Sequence, residues 1–150
     1  TYTNDLVTDI NLARSEAVKR GTRVVLCRSA DPSAAAPTCG GTANTWTTGW
    51  LVYADANSSG TFDGGDTLVR VGMPVTSNTT VMSNGAINNT LQYNGDGTTN
   101  EGANVAVFTL CDGRGAGNGR QLQVNIMGRP QLFKGTDTGV SLNCSSPTEI

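Results

Sequence analysis

A chain of 150 residues, 37% apolar and with 19 glycines, is long enough for one buried core and too rich in turn formers for a helical bundle. Ten basic against twelve acidic residues give a net charge of −2, which argues against a strongly basic nucleic-acid binder. No apolar run reaches the roughly eighteen residues of a membrane-spanning helix, so none is expected within these residues.

The first element is a helix. Leu6, Ile10, Ala13 and Ala17 are spaced four, three and four apart and share one face, whereas Asp9, Arg14, Glu16 and Lys19 are expected to point elsewhere. Asp5 and Asp9 suit the positive end of the helix dipole, Lys19 and Arg20 the negative end, and Gly21 can take the left-handed conformation that stops it. Thr3 is the candidate N-cap, although no Glu or Gln follows three residues later to complete a capping box.

Everything after Gly21 reads as strands and turns. Thr22 to Arg28 carries the run Val24-Val25-Leu26-Cys27, a buried strand. The stretch from Ser29 to Asn44 is rich in Ala, Pro, Gly and Ser and reads as an exposed loop. Trp50, Val52 and Ala54 alternate with Leu51 and Tyr53, and Leu68, Val69 and Val71 follow a glycine-rich loop, which predicts a long-looped hairpin. Short strands are predicted over Thr79 to Met82 and Thr90 to Tyr93. Asn104 to Cys111 is apolar on both faces, whereas Leu122, Val124 and Ile126 alternate with Gln121, Gln123 and Asn125 and predict a strand with one wet face. Pro130 then interrupts the pattern, before short closing strands around Leu132, Phe133 and Val140. The expected fold class is α+β: residues 1–150 form one domain, with a helix over 1–21 packed on antiparallel sheet and a two-sheet, β-rich head over 22–150.

Cys27, Cys39, Cys111 and Cys144 form no close CxxC pair, and the chain has no histidine, so disulfides explain them better than zinc. Three pairings exist and spacing does not separate them. The one expected here joins Cys27 to Cys39, closing a short loop, and Cys111 to Cys144, tying the tail to a core strand; it implies an oxidising compartment.

Charge is uneven along the chain. Residues 1–30 hold five basic and three acidic side chains, 31–100 one and five, and 101–150 four of each. The loop from Asp55 to Asp66 places Asp55, Asn57, Ser59, Asp63 and Asp66 at first, third, fifth, ninth and twelfth positions with Gly60 at the sixth, close to a calcium loop. The twelfth ligand is Asp rather than a bidentate Glu and the flanks read as strands, so a polar hairpin turn explains the same residues without metal. Gly113 to Gly119 has phosphate-loop composition but stands between strands, where no helix N-terminus is present to hold an anion. Trp46 and Trp50 supply core volume in a chain with few aromatics. No Ser-containing motif surrounds Lys19 or Lys134, and the paired carboxylates Asp63 and Asp66 sit in a solvated turn, so no enzyme chemistry and no cofactor is expected.

Leu12-Ala13-Arg14-Ser15-Glu16-Ala17-Val18-Lys19-Arg20-Gly21 before Val24-Val25-Leu26-Cys27, then Gly49-Trp50-Leu51-Val52-Tyr53, Phe108 to Cys111 and Gly128-Arg129, together resemble the type II secretion protein H and FimT/FimU group of minor pilins. The resemblance implies a pilin-like fold whose helix is the C-terminal half of an assembly stem, with Leu6, Ile10, Ala13 and Ala17 packing into the filament. It further implies an apolar membrane anchor ahead of residue 1, and a precursor in the inner membrane and periplasm that later joins an extracellular pilus. The implied partners are the major pilin and other minor pilins. FimU-like members are structural adaptors in pilus priming, which support pilus biogenesis and twitching motility. FimT-like members bind DNA through a Gly-Arg-x-Arg element; here Gly128-Arg129-Pro130-Gln131 has Gln in place of the second Arg, which leaves Arg129, with Arg114, Arg120 and Lys134, as the DNA-contact candidates and disfavours that alternative. A minor pseudopilin of a type II secretion system is the other alternative.

Overall fold

A computed structural model describes residues 2–42, 44–72, 79–84, 87, 90–100, 106–111, 119–134 and 144. Helix α1 (Tyr2–Arg20) ends at Gly21, where φ is 66° and the Gly21 N–H donates to Ala17 O at 2.9 Å, the left-handed stop that its residue type permits. Eight strands follow: β1 (Arg23–Arg28), β2 (Trp50–Asp55), β3 (Thr67–Gly72), β4 (Thr80–Ser83), β5 (Thr90–Tyr93), β6 (Ala106–Cys111), β7 (Arg120–Val124) and β8 (Pro130–Lys134). They form two four-stranded sheets, ordered β3-β2-β1-β5 and β4-β6-β7-β8, with every pairing antiparallel.

The unbroken apolar runs of β1 and β2 have a physical cause. Val24, Leu26, Trp50, Val52 and Ala54 enter the main core with α1 and the second sheet. Their neighbours Val25, Cys27, Leu51 and Tyr53 face the other way, under a cover of Cys39, Phe62 and Val71. Both faces of these strands are therefore dry, so no polar alternation is needed. Trp46 meets Phe108 edge-on, with ring centroids 5.1 Å apart and planes at 84°. Its indole N–H donates to Ser83 Oγ at 2.9 Å, and that hydroxyl donates to Ile87 O at 3.0 Å, so the buried polar atoms are satisfied.

Four details depart from the sequence reading. Pro130 opens β8 instead of ending a strand; on an edge strand its missing N–H costs no ladder bond. Ile126 lies beyond the end of β7 and is exposed. Gln121, expected on a wet face, is buried and accepts a hydrogen bond from Gln123 Nε2 at 2.7 Å. Asp9, expected to point away from the apolar face, is buried under the helix. The strand expected at Val140, the loop from residue 113 to 118 and Asn104 lie outside the described residues.

The cysteines form two disulfides. Cys27 joins Cys39 and Cys111 joins Cys144, with Cα atoms 5.7 Å and 5.8 Å apart.

Candidate functional site

The helix is joined to the head through a buried carboxyl as well as by apolar contact. Asp9 Oδ2 accepts the Trp50 indole N–H at 2.8 Å, and Oδ1 pairs with the Arg70 guanidinium on β3. Burial raises the Asp9 carboxyl above its ordinary value of 3.8, against the lowering effects of Trp50 and Arg70. A signal for this placement exists in the sequence: Asp9 stands three residues after Leu6 and four before Ala13, inside the apolar stripe. Asp9→Ala strands a buried indole N–H and should cost about 2 kcal/mol, whereas Asp9→Asn keeps the acceptor and should stay within about 1 kcal/mol of the wild type at neutral pH. Because the folded pKa lies above the unfolded one, the stability this carboxyl contributes is complete below the unfolded value and is lost as pH rises through the folded value. Denaturant titrations of wild type and Asp9→Asn should therefore shift in favour of the wild type on acidification toward pH 4, and parallel curves would contradict the buried placement.

The structure places the residues expected to pack into the filament inside this chain's own core. Leu6, Ile10, Ala13 and Ala17 are each 0% exposed, consumed by the head's own core, so they have no surface to offer a neighbour. The opposite stripe, Asn4, Thr8, Asn11, Ser15 and Val18, is the exposed one. Its five side chains are uncharged, four of them small and polar and the fifth valine, and charge stands at its borders, where Asp5, Lys19 and Arg20 are also exposed.

The Gly128-Arg129 element sits in the turn between β7 and β8. Gly128 is buried at φ 83°, and its carbonyl accepts Tyr93 Oη at 3.0 Å. Arg14 Nε on α1 donates to Gly97 O at 3.1 Å in the same place. A Cβ on Gly128 would strike the Gly97 carbonyl and stand 2.8 Å from Tyr93 Cε1 and 3.0 Å from Arg14 Nε. The glycine thus joins helix, first sheet and second sheet at one point.

Arg129 is exposed beside this knot, but the other DNA-contact candidates are elsewhere. Arg120 and Lys134 are cross-strand partners at the far end of the β7–β8 hairpin, whereas Arg129 stands in the turn, just before the Pro130 that pairs with Val124. Four residue steps of extended strand put about 13 Å between those ends. Arg120 is half-buried and donates to Gly119 O at 2.9 Å. Arg114 lies outside the described residues. The structure does not bring Arg129, Arg120 and Lys134 into one cluster.

The calcium-like loop turns its oxygens inward to its own chain. Asp55 accepts the Ser59 and Gly60 N–H groups at 3.1 Å and 2.8 Å, and Asp66 accepts those of Ala56 and Asp63 at 3.0 Å and 3.1 Å. Asn57 Nδ2 donates to Asp63 Oδ2 at 3.0 Å, and with the Gly65 amide this holds the Asp63 carboxyl below its ordinary value. Among the described residues no group of three or more His, Cys, Asp or Glu could hold a metal ion. The spacing that suggested calcium is accounted for by backbone capping within a turn. An open cleft of about 550 Å³ separates this loop from the disulfide-stapled one, lined by Arg28, Thr38, Cys39, Phe62 and Thr90 among others. It contains no pairing of nucleophile and base.

The family model for type II transport protein GspH matches residues 2–128, which takes in the helix and Gly128 and stops before Arg129. Two crystal structures of the type IV minor pilin FimU of Pseudomonas aeruginosa, in space groups P65 and P21, superpose with TM-scores of 0.66 and 0.68 at 20% identity. The alignments cover 91% of this chain in both cases, and 93% and 88% of the FimU chains. No curated protein sequence matches the chain significantly. At this identity the FimU likeness is one of fold: an N-terminal helix against two antiparallel sheets.

Proposed function

The chain belongs to the type II transport protein GspH family of structural pilins, and from that membership we propose that it is a FimU-like minor pilin, a structural adaptor in priming and assembling a type IV pilus. The observation that carries the reading is the division of α1. One face is spent entirely on the head, and the other is exposed, its middle formed by the small uncharged Thr8, Asn11 and Ser15, which a neighbouring helix can approach closely. A rigid stalk of this kind transmits position, not chemistry. Two disulfides suit a head that must stay folded outside the cytoplasm. Family membership implies assembly with other pilins and a pilus-associated place in the envelope or outside the cell. The finer statements, an inner-membrane precursor, contact with the major pilin and support of twitching motility, are part of this proposal.

Neither alternative gains from the geometry. A DNA groove needs several cations along one track; Arg129 stands at the opposite end of the hairpin from Arg120 and Lys134, and Glu16 and Asp96 offset two of the four charges that Arg129 makes with Arg14, Lys19 and Arg20. Deleting the gene in a piliated host should remove surface pili and twitching while leaving type II secretion intact. Normal pili would overturn the adaptor reading. Loss of secretion would replace it with the pseudopilin one, and loss of DNA uptake alone with the FimT-like one. In a mobility-shift assay at about 50 mM salt, where phosphate contacts are strongest, the wild type should leave DNA unshifted.

A further inference from the structure

Three of the large apolar side chains that the head leaves in water stand on two segments that meet at Gly97. Val18, Ile126 and Met127 are 54%, 48% and 58% exposed. Val18 ends the outer stripe of α1, and a Cβ on Gly97 would stand 3.1 Å from its Cγ2. Ile126 and Met127 lead into Gly128, whose backbone lies against that same Gly97, and Ile126 O accepts the Thr99 N–H at 2.9 Å. Helix end and β7–β8 turn therefore make one surface with an apolar centre. Isolated apolar side chains on a surface need no explanation, but a contiguous group does.

The rim is cationic. Arg14 is oriented by its bond to Gly97 O, and Lys19, Arg20 and Arg129 are exposed nearby. Two acids lie in the same neighbourhood: Glu16 pairs with Arg20 at 2.8 Å, and Asp96, whose Oδ1 accepts both the N–H and the hydroxyl of Thr98, stays charged, so four cations outnumber two anions. Methionine and arginine are the side chains that protein interfaces favour, one for its adaptable shape and the other for its planar donors.

We propose that this patch docks a neighbouring pilin-type subunit that presents carboxylates around an apolar centre. The inference rests on the minor-pilin reading above and gives it a surface, because Val18 belongs both to the patch and to the outer helical stripe. Charge selects the partner. Two copies of this chain facing each other through the patch would set Arg14, Lys19 and Arg129 against themselves, so a two-fold self-contact is disfavoured.

The test uses the full-length chain in piliated cells, with a photoreactive benzophenone amino acid at position 127 in one strain and at position 11 in another. From position 127, adducts should form with a different pilin-family subunit and map to a segment rich in Asp or Glu. The double variant Met127→Glu, Arg129→Glu should lower recovery of the chain in sheared filaments by about tenfold, the size expected of an interface anchor. Leu68→Glu, at an exposed apolar site on β3 away from the patch, should leave recovery unchanged; thermal melts establish that each variant folds. If position 127 reaches only lipid, a second copy or unrelated proteins while position 11 reaches pilins, or if Leu68→Glu is as damaging, the patch is not the docking surface. If neither position reaches a pilin, the minor-pilin reading itself falls.

Discussion

Replacing Gly128 by valine should destabilise the head by about 3 to 5 kcal/mol, read as a fall in the guanidinium midpoint with little change in slope. Two costs combine. A β-branched residue held at φ 83° occupies a region that L side chains avoid, worth on the order of 1 to 3 kcal/mol. The new Cβ would also meet the Gly97 carbonyl, a backbone atom that cannot rotate away, and the Tyr93 ring at 2.8 Å. Relieving the clash means lifting the turn off α1 and β5, which would break the Tyr93 hydrogen bond to Gly128 O and loosen the Arg14 bond to Gly97 O. Gly128→Ala should show the same direction at smaller size. A valine variant within about 1 kcal/mol of the wild type would mean that the turn is not held against the helix.

Removing the Cys111–Cys144 bridge with serine at both positions should cost about 4 kcal/mol, and removing Cys27–Cys39 about 3 kcal/mol, on the chain-entropy account of a disulfide. The difference follows from loop length: the first bridge closes a separation of 33 residues and the second one of 12. For a domain of this size about 4 kcal/mol corresponds to a melting temperature lower by roughly 10 °C. Each bridge joins a buried cysteine to a half-buried one, Cys27 to Cys39 and Cys111 to Cys144, so burial does not rank them for reduction. The wild type under strong reductant should melt with the variant that carries serine at all four positions. Identical melts with and without strong reductant would show that neither bridge contributes to stability.

These two results bear on the adaptor reading from different directions. Gly128 belongs to the junction that fixes the angle of the stalk to the head, whereas the bridges keep the head folded once it leaves reducing surroundings. A subunit that transmits position through a helix depends on the first; a subunit displayed outside the cell depends on the second.

Much of the architecture was legible along the chain because its signals are local. The four-three-four spacing from Leu6 to Ala17 and the glycine after Arg20 mark a helix and its end, since both follow from the backbone conformation of a few neighbouring residues. The dry runs of β1, β2 and β6 and the cysteine count are of the same kind. Position in space was not legible. Asp9 reads as a surface acid until Trp50 and Arg70, distant in sequence, are brought over it, and burial then changes both its hydrogen bonding and its titration. The calcium spacing from Asp55 to Asp66 is real in sequence, but the loop's amides take those oxygens first. Arg120, Arg129 and Lys134 are close in number and divided by the length of a hairpin. Periodicity determined that the chain is a helix followed by two-sided strands, because each residue's φ and ψ answer mainly to its neighbours. Only the tertiary structure decided which face of that helix is spent and which is left exposed, because that depends on what the rest of the chain folds against it.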